Sequence, residues 1–278
     1  MTQYVEILLM WVAVSLYAAS AVGFVTGLVF SKKGIVTAAL WLAAAGLVPH
    51  TIAIAGRWER VGHGPYLGFY EVVSSYAYVS VVGLLILVRL YPALRVAGAV
   101  VMPIAFLLLG GAMLAPKSGL EITPYLASWW LVVHVAFAKL CYGAFVVAMV
   151  LGVVFLFRAR LRGKMAEFAA KLPSDDVLDD LTFRFLAAGF ILLGIMIAAG
   201  AIWANEAWGR YWAWDPIETW SLISWLVYAA VLHARLTLGW RGRRFALAAV
   251  WALPLVLFAL IGVPIVYDSI HGAYLTGY

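Results

Sequence analysis

The chain has 278 residues, of which 66% are hydrophobic and only 12% charged, a balance that excludes a water-soluble domain because too few polar groups remain to cover its surface. The net charge of +6 is gathered in alternate loops, so it reports membrane topology and calls for no nucleic acid. Cys141 is the single cysteine and lies inside an apolar stretch, which excludes a disulfide framework and any dithiol redox chemistry of the chain's own.

A helix needs roughly 20 apolar residues to cross a bilayer. Stretches of that kind are predicted at 4–30, 34–56, 69–89, 95–115, 129–157, 182–204, 219–238 and 245–266. They make an all-α polytopic membrane protein of about eight helices, a single integral membrane domain over 1–278. The first stretch is too long for a signal-peptide core and carries no A-x-A cleavage site, so it reads as a retained helix. Lys32 and Lys33, Arg89 and Arg95, Arg158 to Lys171, and Arg235 to Arg244 fill one set of loops, while the alternate set holds only Arg57, Arg60, Lys117 and Arg210. By the positive-inside rule the first set is cytoplasmic and both termini are extracytoplasmic. The polar segment 158–180, basic at its start and acidic at its end, is predicted to be a solvated amphipathic connector.

Taken along the chain, the polar residues sort by depth. His50 follows Pro49 in the second helix, where a donor is needed for the carbonyl that a proline kink frees. His63 sits in the outer loop RWERVGHGPYLGFYE together with Glu71. His134 enters the fifth helix from its outer end, roughly 8 Å below the surface at the helical rise. Lys139, deeper on the same helix, should face the bundle interior, with Glu71 or a backbone carbonyl as its partner. Between Trp203 and Trp225 the sequence WANEAWGRYWAWDPIETWSLISW holds six of the thirteen tryptophans. An interfacial aromatic belt accounts for Trp203 and Trp225. It leaves Trp208, Trp212, Trp214 and Trp220, interleaved with Gly209, Asp215, Pro216 and Glu218 in the outward segment 205–220. A shelf of indoles suits a large, flat, apolar ligand held by face and edge; a quinone or lipid fits the shelf, and haem fits both the shelf and the nearby histidines. His271, beyond the last helix, sits at the same height as His134, so the two imidazoles are candidate axial ligands of one haem iron. His233 lies roughly 20 Å deeper along the seventh helix, so any iron it holds is a second, inner one.

The stretch WGRYWAWDPIETWSLISWLVYAAVLHAR resembles the tryptophan-rich (WWD) signature of the haem-handling proteins of cytochrome c biogenesis, in the form WDPxETWSLISW of the CcsA (ResC) branch of system II. GHGPYLGFYE resembles that branch's GHxPxxNxYE loop, WLVVHVAFAKLCYGA its WLxxHVxxxxxxYxA segment, and IHGAY its closing LHSYG. The loop lacks the branch's Asn ahead of the Tyr-Glu pair, and Gly272 stands in place of its Ser. The resemblance implies an outer haem held between His134 and His271, an inner haem using His233, and the Trp-rich segment as the haem-binding surface. His63, Glu71 and Trp203 are supporting residues. It implies haem b as substrate and bound ligand, a CcsB/ResB-type membrane subunit that supplies the other inner ligand, and an apocytochrome c bearing C-x-x-C-H. The place implied is a bacterial or archaeal plasma membrane, or its thylakoid equivalent, with the Trp-rich loop facing outward.

The implied activity is that of a holocytochrome c synthase, or haem lyase, in which substrate thiols add across the haem vinyl groups and the enzyme supplies positioning. Asp215 and Glu218 are expected to brace the loop through hydrogen bonds to Trp N–H or backbone, not to act as acid and base. One alternative is a CcmC-type exporter or chaperone that delivers haem without attaching it. Another, of a different class, is a bis-His cytochrome b that transfers electrons from quinol.

Overall fold

A computed structural model describes residues 1–117, 126–158, 160 and 172–270. It contains eight helices long and apolar enough to span a membrane: α1 (Gln3–Val29), α2 (Lys33–Val61), α3 (Gly68–Leu90), α4 (Gly98–Leu114, entered through a 3₁₀ turn Pro92–Ala97), α5 (Trp129–Arg158), α6 (Asp175–Trp208), α7 (Pro216–Leu236) and α8 (Arg243–Val266). The described residues fall into two compact units, α1 to α4 with Leu172 in one and α5 to α8 in the other.

In the first unit, α1 and α2 approach closely because glycines face their contact. A Cβ on Gly23 would come within 3.0 Å of the Ala39 Cβ, and one on Gly27 within 2.7 Å of Val36. Without a hydrophobic drive between helices in lipid, such small-residue spacing is what lets dispersion and interhelical hydrogen bonds act. The Ser20 hydroxyl accordingly donates to the Ala39 carbonyl at 2.8 Å. His50 is fully buried, with its Nδ1 3.1 Å from the Tyr17 hydroxyl and its ring edge-on to Tyr78. Its partner is therefore a hydroxyl on α1, in place of the carbonyl freed by Pro49.

At one end of this unit lies a buried ionic network. Arg57 donates from Nε to Glu71 at 2.7 Å and from Nη1 to Glu6 at 3.2 Å, while Arg60 and the Tyr70 hydroxyl also reach Glu6. Glu71 accepts in addition from the Leu67 N–H at 3.2 Å, so both its oxygens serve this network. Gly68, at the start of α3, has φ 72°, the left-handed region that glycine tolerates.

The second unit is built on aromatic and small-residue packing. Phe145 of α5 stacks on Tyr228 of α7 at 3.7 Å, with Gly189 of α6 making room for the Phe145 ring. Trp225 stacks on Phe190 at 4.9 Å. The acidic run that the sequence places in a solvated connector instead begins α6. Ser174 caps the helix on Val177 N–H, Asp175 and Asp176 occupy the first turn, and Asp179 is buried. Carboxylates are favoured at that positive helix end. Asp179 accepts from Arg235 at 2.6 Å and from the Gly242 N–H at 2.8 Å, tying the start of α6 to the α7–α8 turn.

Replacing Arg57 by Met leaves two buried carboxylates, Glu6 and Glu71, without their shared cation. The expected loss is about 3–5 kcal/mol, read as a lowered thermal midpoint of the detergent-purified chain; an unchanged midpoint would show that the network does not hold the unit together.

Candidate functional site

At the end of the second unit where α6 meets α7, the Trp-rich segment is more helical than its sequence implies. Helix α6 runs through Trp208 and closes on Gly209, whose φ is 72°, and α7 begins at Pro216, so only 209–215 is irregular. Pro at the first helical position suits the start of α7, since its missing N–H would have no helical partner. Asp215 is the N-cap, accepting from Ile217 N–H at 3.0 Å, and Glu218 reaches back to Asp215 N–H at 3.2 Å and Ala213 N–H at 2.8 Å. This capping box satisfies backbone donors reciprocally. Both carboxylates therefore brace backbone, the second of the two roles expected for them.

Held between those bonds, Trp214 has φ 57°, an outlier for a bulky residue. The residue is 69% exposed, and its indole stands edge-on to Trp212 at 5.8 Å. The backbone is fixed so that one large apolar ring projects outward. Trp208 packs on Trp203 at 5.0 Å, and Trp220 on Phe258 at 4.8 Å, beside a π-helical turn of α8.

His134 lies in the second turn of α5, and its Nδ1 is 2.9 Å from the Met196 carbonyl of α6. A carbonyl can only accept, so Nδ1 carries the proton and the lone pair resides on Nε2. The ring has space because residue 200 is glycine: a Cβ there would come within 2.6 Å of His134 Nδ1. Trp203 flanks the ring at 6.4 Å. His134, Gly200, Tyr211, Trp212 and Glu218 line one cleft of ≈ 40 Å³. A second anchor comes from the C-terminal side. Asp215 accepts from the Ser269 hydroxyl at 2.8 Å and from Ile270 N–H at 2.9 Å, so the chain arrives at the loop one residue before His271.

Residues 66–271 match the family model described as cytochrome C assembly protein. The cytochrome c biogenesis protein CcsA of Parasynechococcus marenigrum (strain WH8102) is 35% identical over 265 residues, 82% of this chain and 87% of that protein. CcsA of Synechococcus sp. (strain CC9605) is 36% identical over 263 residues, 82% and 86% of the two chains. The chain belongs to the CcsA family. The solved structure of the cytochrome c haem lyase CcmF matches with a TM-score of 0.69 at 17% identity, covering 100% of this chain and 50% of that one. At that identity the likeness concerns the fold alone.

Of the candidate site residues in this CcsA-family chain, the structure brings His134, Trp203, Trp208, Trp212, Trp214, Asp215 and Glu218 to one end of the second unit. His271 lies outside the described residues. His233 is exposed near the end of α7, its Nδ1 3.4 Å from Thr237 Oγ1. His63 and Glu71 belong to the first unit, where both are buried and their side chains approach to 3.5 Å. Gly200, Met196 and Ser269 are parts of the arrangement that sequence reasoning missed. A glycine inside an apolar helix was the available signal for Gly200; the Met196 carbonyl carries no side-chain signature at all.

Asp215→Ala removes the α7 cap and the attachment of Ser269 and Ile270 together. A cap is worth about 1 kcal/mol, so amide exchange at both Ile217 and Ile270 should accelerate several-fold in hydrogen-exchange mass spectrometry. Acceleration at Ile217 alone would show that the tail is held by something else.

Proposed function

We propose that this chain is the haem-handling subunit of a cytochrome c synthase, holding haem b at the extracytoplasmic face between His134 and His271 against the Trp-rich loop. The observation that carries the reading is the Nδ1–H bond from His134 to Met196, because a metal-ligating imidazole characteristically donates its other N–H to a carbonyl, which fixes the tautomer and aims Nε2. Its cleft is shared with Trp212, whose buried Nε1–H has no hydrogen-bond partner among the described residues. An orphaned donor of this kind suits a ligand with peripheral carboxylates. A cleft of ≈ 40 Å³ is too small to enclose a porphyrin, so the macrocycle would lie across it with an edge exposed. Family membership and the shared fold with a haem lyase support the same assignment.

In this reading each thiol of a C-x-x-C-H segment adds its S–H across one haem vinyl group, forming a thioether with no external oxidant. The chain supplies no nucleophile. Its contribution is to hold the vinyl edge in near-attack geometry, an effect that can reach roughly 7–11 kcal/mol in favourable cases. The substrate's own histidine then replaces His134 or His271 on iron, and the product departs. His233, exposed on α7, is a candidate ligand to an inner haem whose second ligand comes from a CcsB/ResB-type partner.

Two measurements test this. Supplying the chain and its partner subunit with haem and a C-x-x-C-H peptide should yield a covalent adduct by mass spectrometry; haem passed to the peptide without thioethers would favour a CcmC-type chaperone instead. His134→Gly and His271→Gly should each lose most of the outer haem and regain part of it with added imidazole. Full haem content in both single variants would remove them as ligands.

A further inference from the structure

Away from the Trp-rich loop, the first unit contains a cavity of ≈ 320 Å³, at the small end of the size range of ligand pockets. It is bounded by the α1–α2 turn, through Leu28, Ser31 and Lys33, and by the α3–α4 turn, through Arg95 and Val96, with Leu172 closing one side. None of its lining residues among those described is acidic. Lys33 and Arg95, exposed cations from different turns, thus line one space and have no carboxylate partner among the described residues, an arrangement that favours an anion.

Local backbone adds to the positive field. Helix α2 starts at Lys33 without a side-chain cap, so its first amides and dipole lie at the cavity edge. Ser31 is held at φ 51°, and Lys32 N–H bonds back to Gly27 at 2.8 Å, so the turn presenting Lys33 is tightly closed. The remaining wall is apolar, formed by Leu28, Val36 and Val96 beside Leu172. Beside the turns stand exposed apolar side chains: Val29 and Phe30 at the end of α1, Leu90 and Tyr91 at the end of α3. The combination is a cationic pocket at helix ends, next to exposed apolar surface.

We propose that this cavity binds the phosphate headgroup of an anionic glycerophospholipid, with Lys33 and Arg95 contacting the phosphate and the acyl chains lying along the ends of α1 and α3. The bias of Lys and Arg assigns these turns to the cytoplasmic leaflet, where anionic lipids attract basic pockets between helices. Inorganic phosphate shares the headgroup's charge but lacks the chains, so the apolar wall separates the two sources.

The test uses the full chain purified in detergent and supplemented with phosphatidylglycerol, phosphatidylcholine or inorganic phosphate, with bound lipid counted by native mass spectrometry and thermal midpoints recorded in parallel. Two double variants are compared, Lys33→Gln with Arg95→Gln, and Lys33→Arg with Arg95→Lys. Both alter side-chain shape, but only the first removes charge. Wild type and the charge-keeping pair should retain phosphatidylglycerol over phosphatidylcholine, and the glutamine pair should lose that preference by roughly tenfold or more. Millimolar phosphate should neither displace the lipid nor raise the midpoint. Equal retention of both lipids by wild type would overturn the proposal, and that arm stands even if the glutamine pair does not fold. Undiminished phosphatidylglycerol binding by a folded glutamine pair would also overturn it, as would displacement by phosphate, which would assign the pocket to a free anion.

Discussion

A single hydrogen bond across two helices holds His134 in place at the candidate site of the second unit. His134 is a polar ring on an apolar helix, and in hydrocarbon an unsatisfied polar group costs several kcal/mol. The Met196 carbonyl answers one ring nitrogen, and by doing so decides what the other can be. With the proton fixed on Nδ1, Nε2 becomes the basic nitrogen. The absence of a side chain at Gly200 is what allows the approach, since a single added carbon would collide with the ring. Stability and chemistry here have the same origin: the contact that makes the imidazole tolerable also sets its tautomer.

The Trp-rich loop follows a related economy of polar groups. Asp215 satisfies the first turn of α7 and at the same time holds the chain just before His271, while Glu218 closes the capping box. These carboxylates hold the irregular backbone, leaving the indoles to form the surface. Trp214 carries the cost of that arrangement in its left-handed backbone, the kind of local strain that persists only where surrounding bonds over-determine it. The buried network of Glu6, Arg57 and Glu71 does comparable work in the first unit, where each charge is paired and the loop containing His63 is fixed by the same carboxylate that pairs with Arg57.

How much of this was legible in the sequence depended on range. All eight helices could be found because lipid demands long apolar stretches, and all but the second and sixth were located to within about three residues at each end. The start of α6 was missed because a run of aspartates reads as solvent-exposed, whereas the Ser174 cap and the partner Arg235 convert it into a helix beginning. The Trp-rich segment stands out by composition, and His134 by its depth, as candidates for one site. The Met196 carbonyl, the clearance at Gly200 and the attachment of Ser269 to Asp215 were not legible, because each depends on which helix faces which across the unit, and no spacing within one helix encodes that. The sequence points His50 at the carbonyl freed by Pro49, whereas its partner is Tyr17 on α1, which follows only from the packing of α1 and α2 through Gly23 and Gly27.

The central claim is that His134 and His271 close on one iron above the indoles. Electron paramagnetic resonance of the ferric haem-loaded chain, purified with its partner subunit, addresses it directly. The account predicts a low-spin signal of bis-imidazole ligation that becomes high-spin when residue 271 alone is replaced by glycine. A high-spin signal in the wild-type protein, or a low-spin signal indifferent to residue 271, would contradict it.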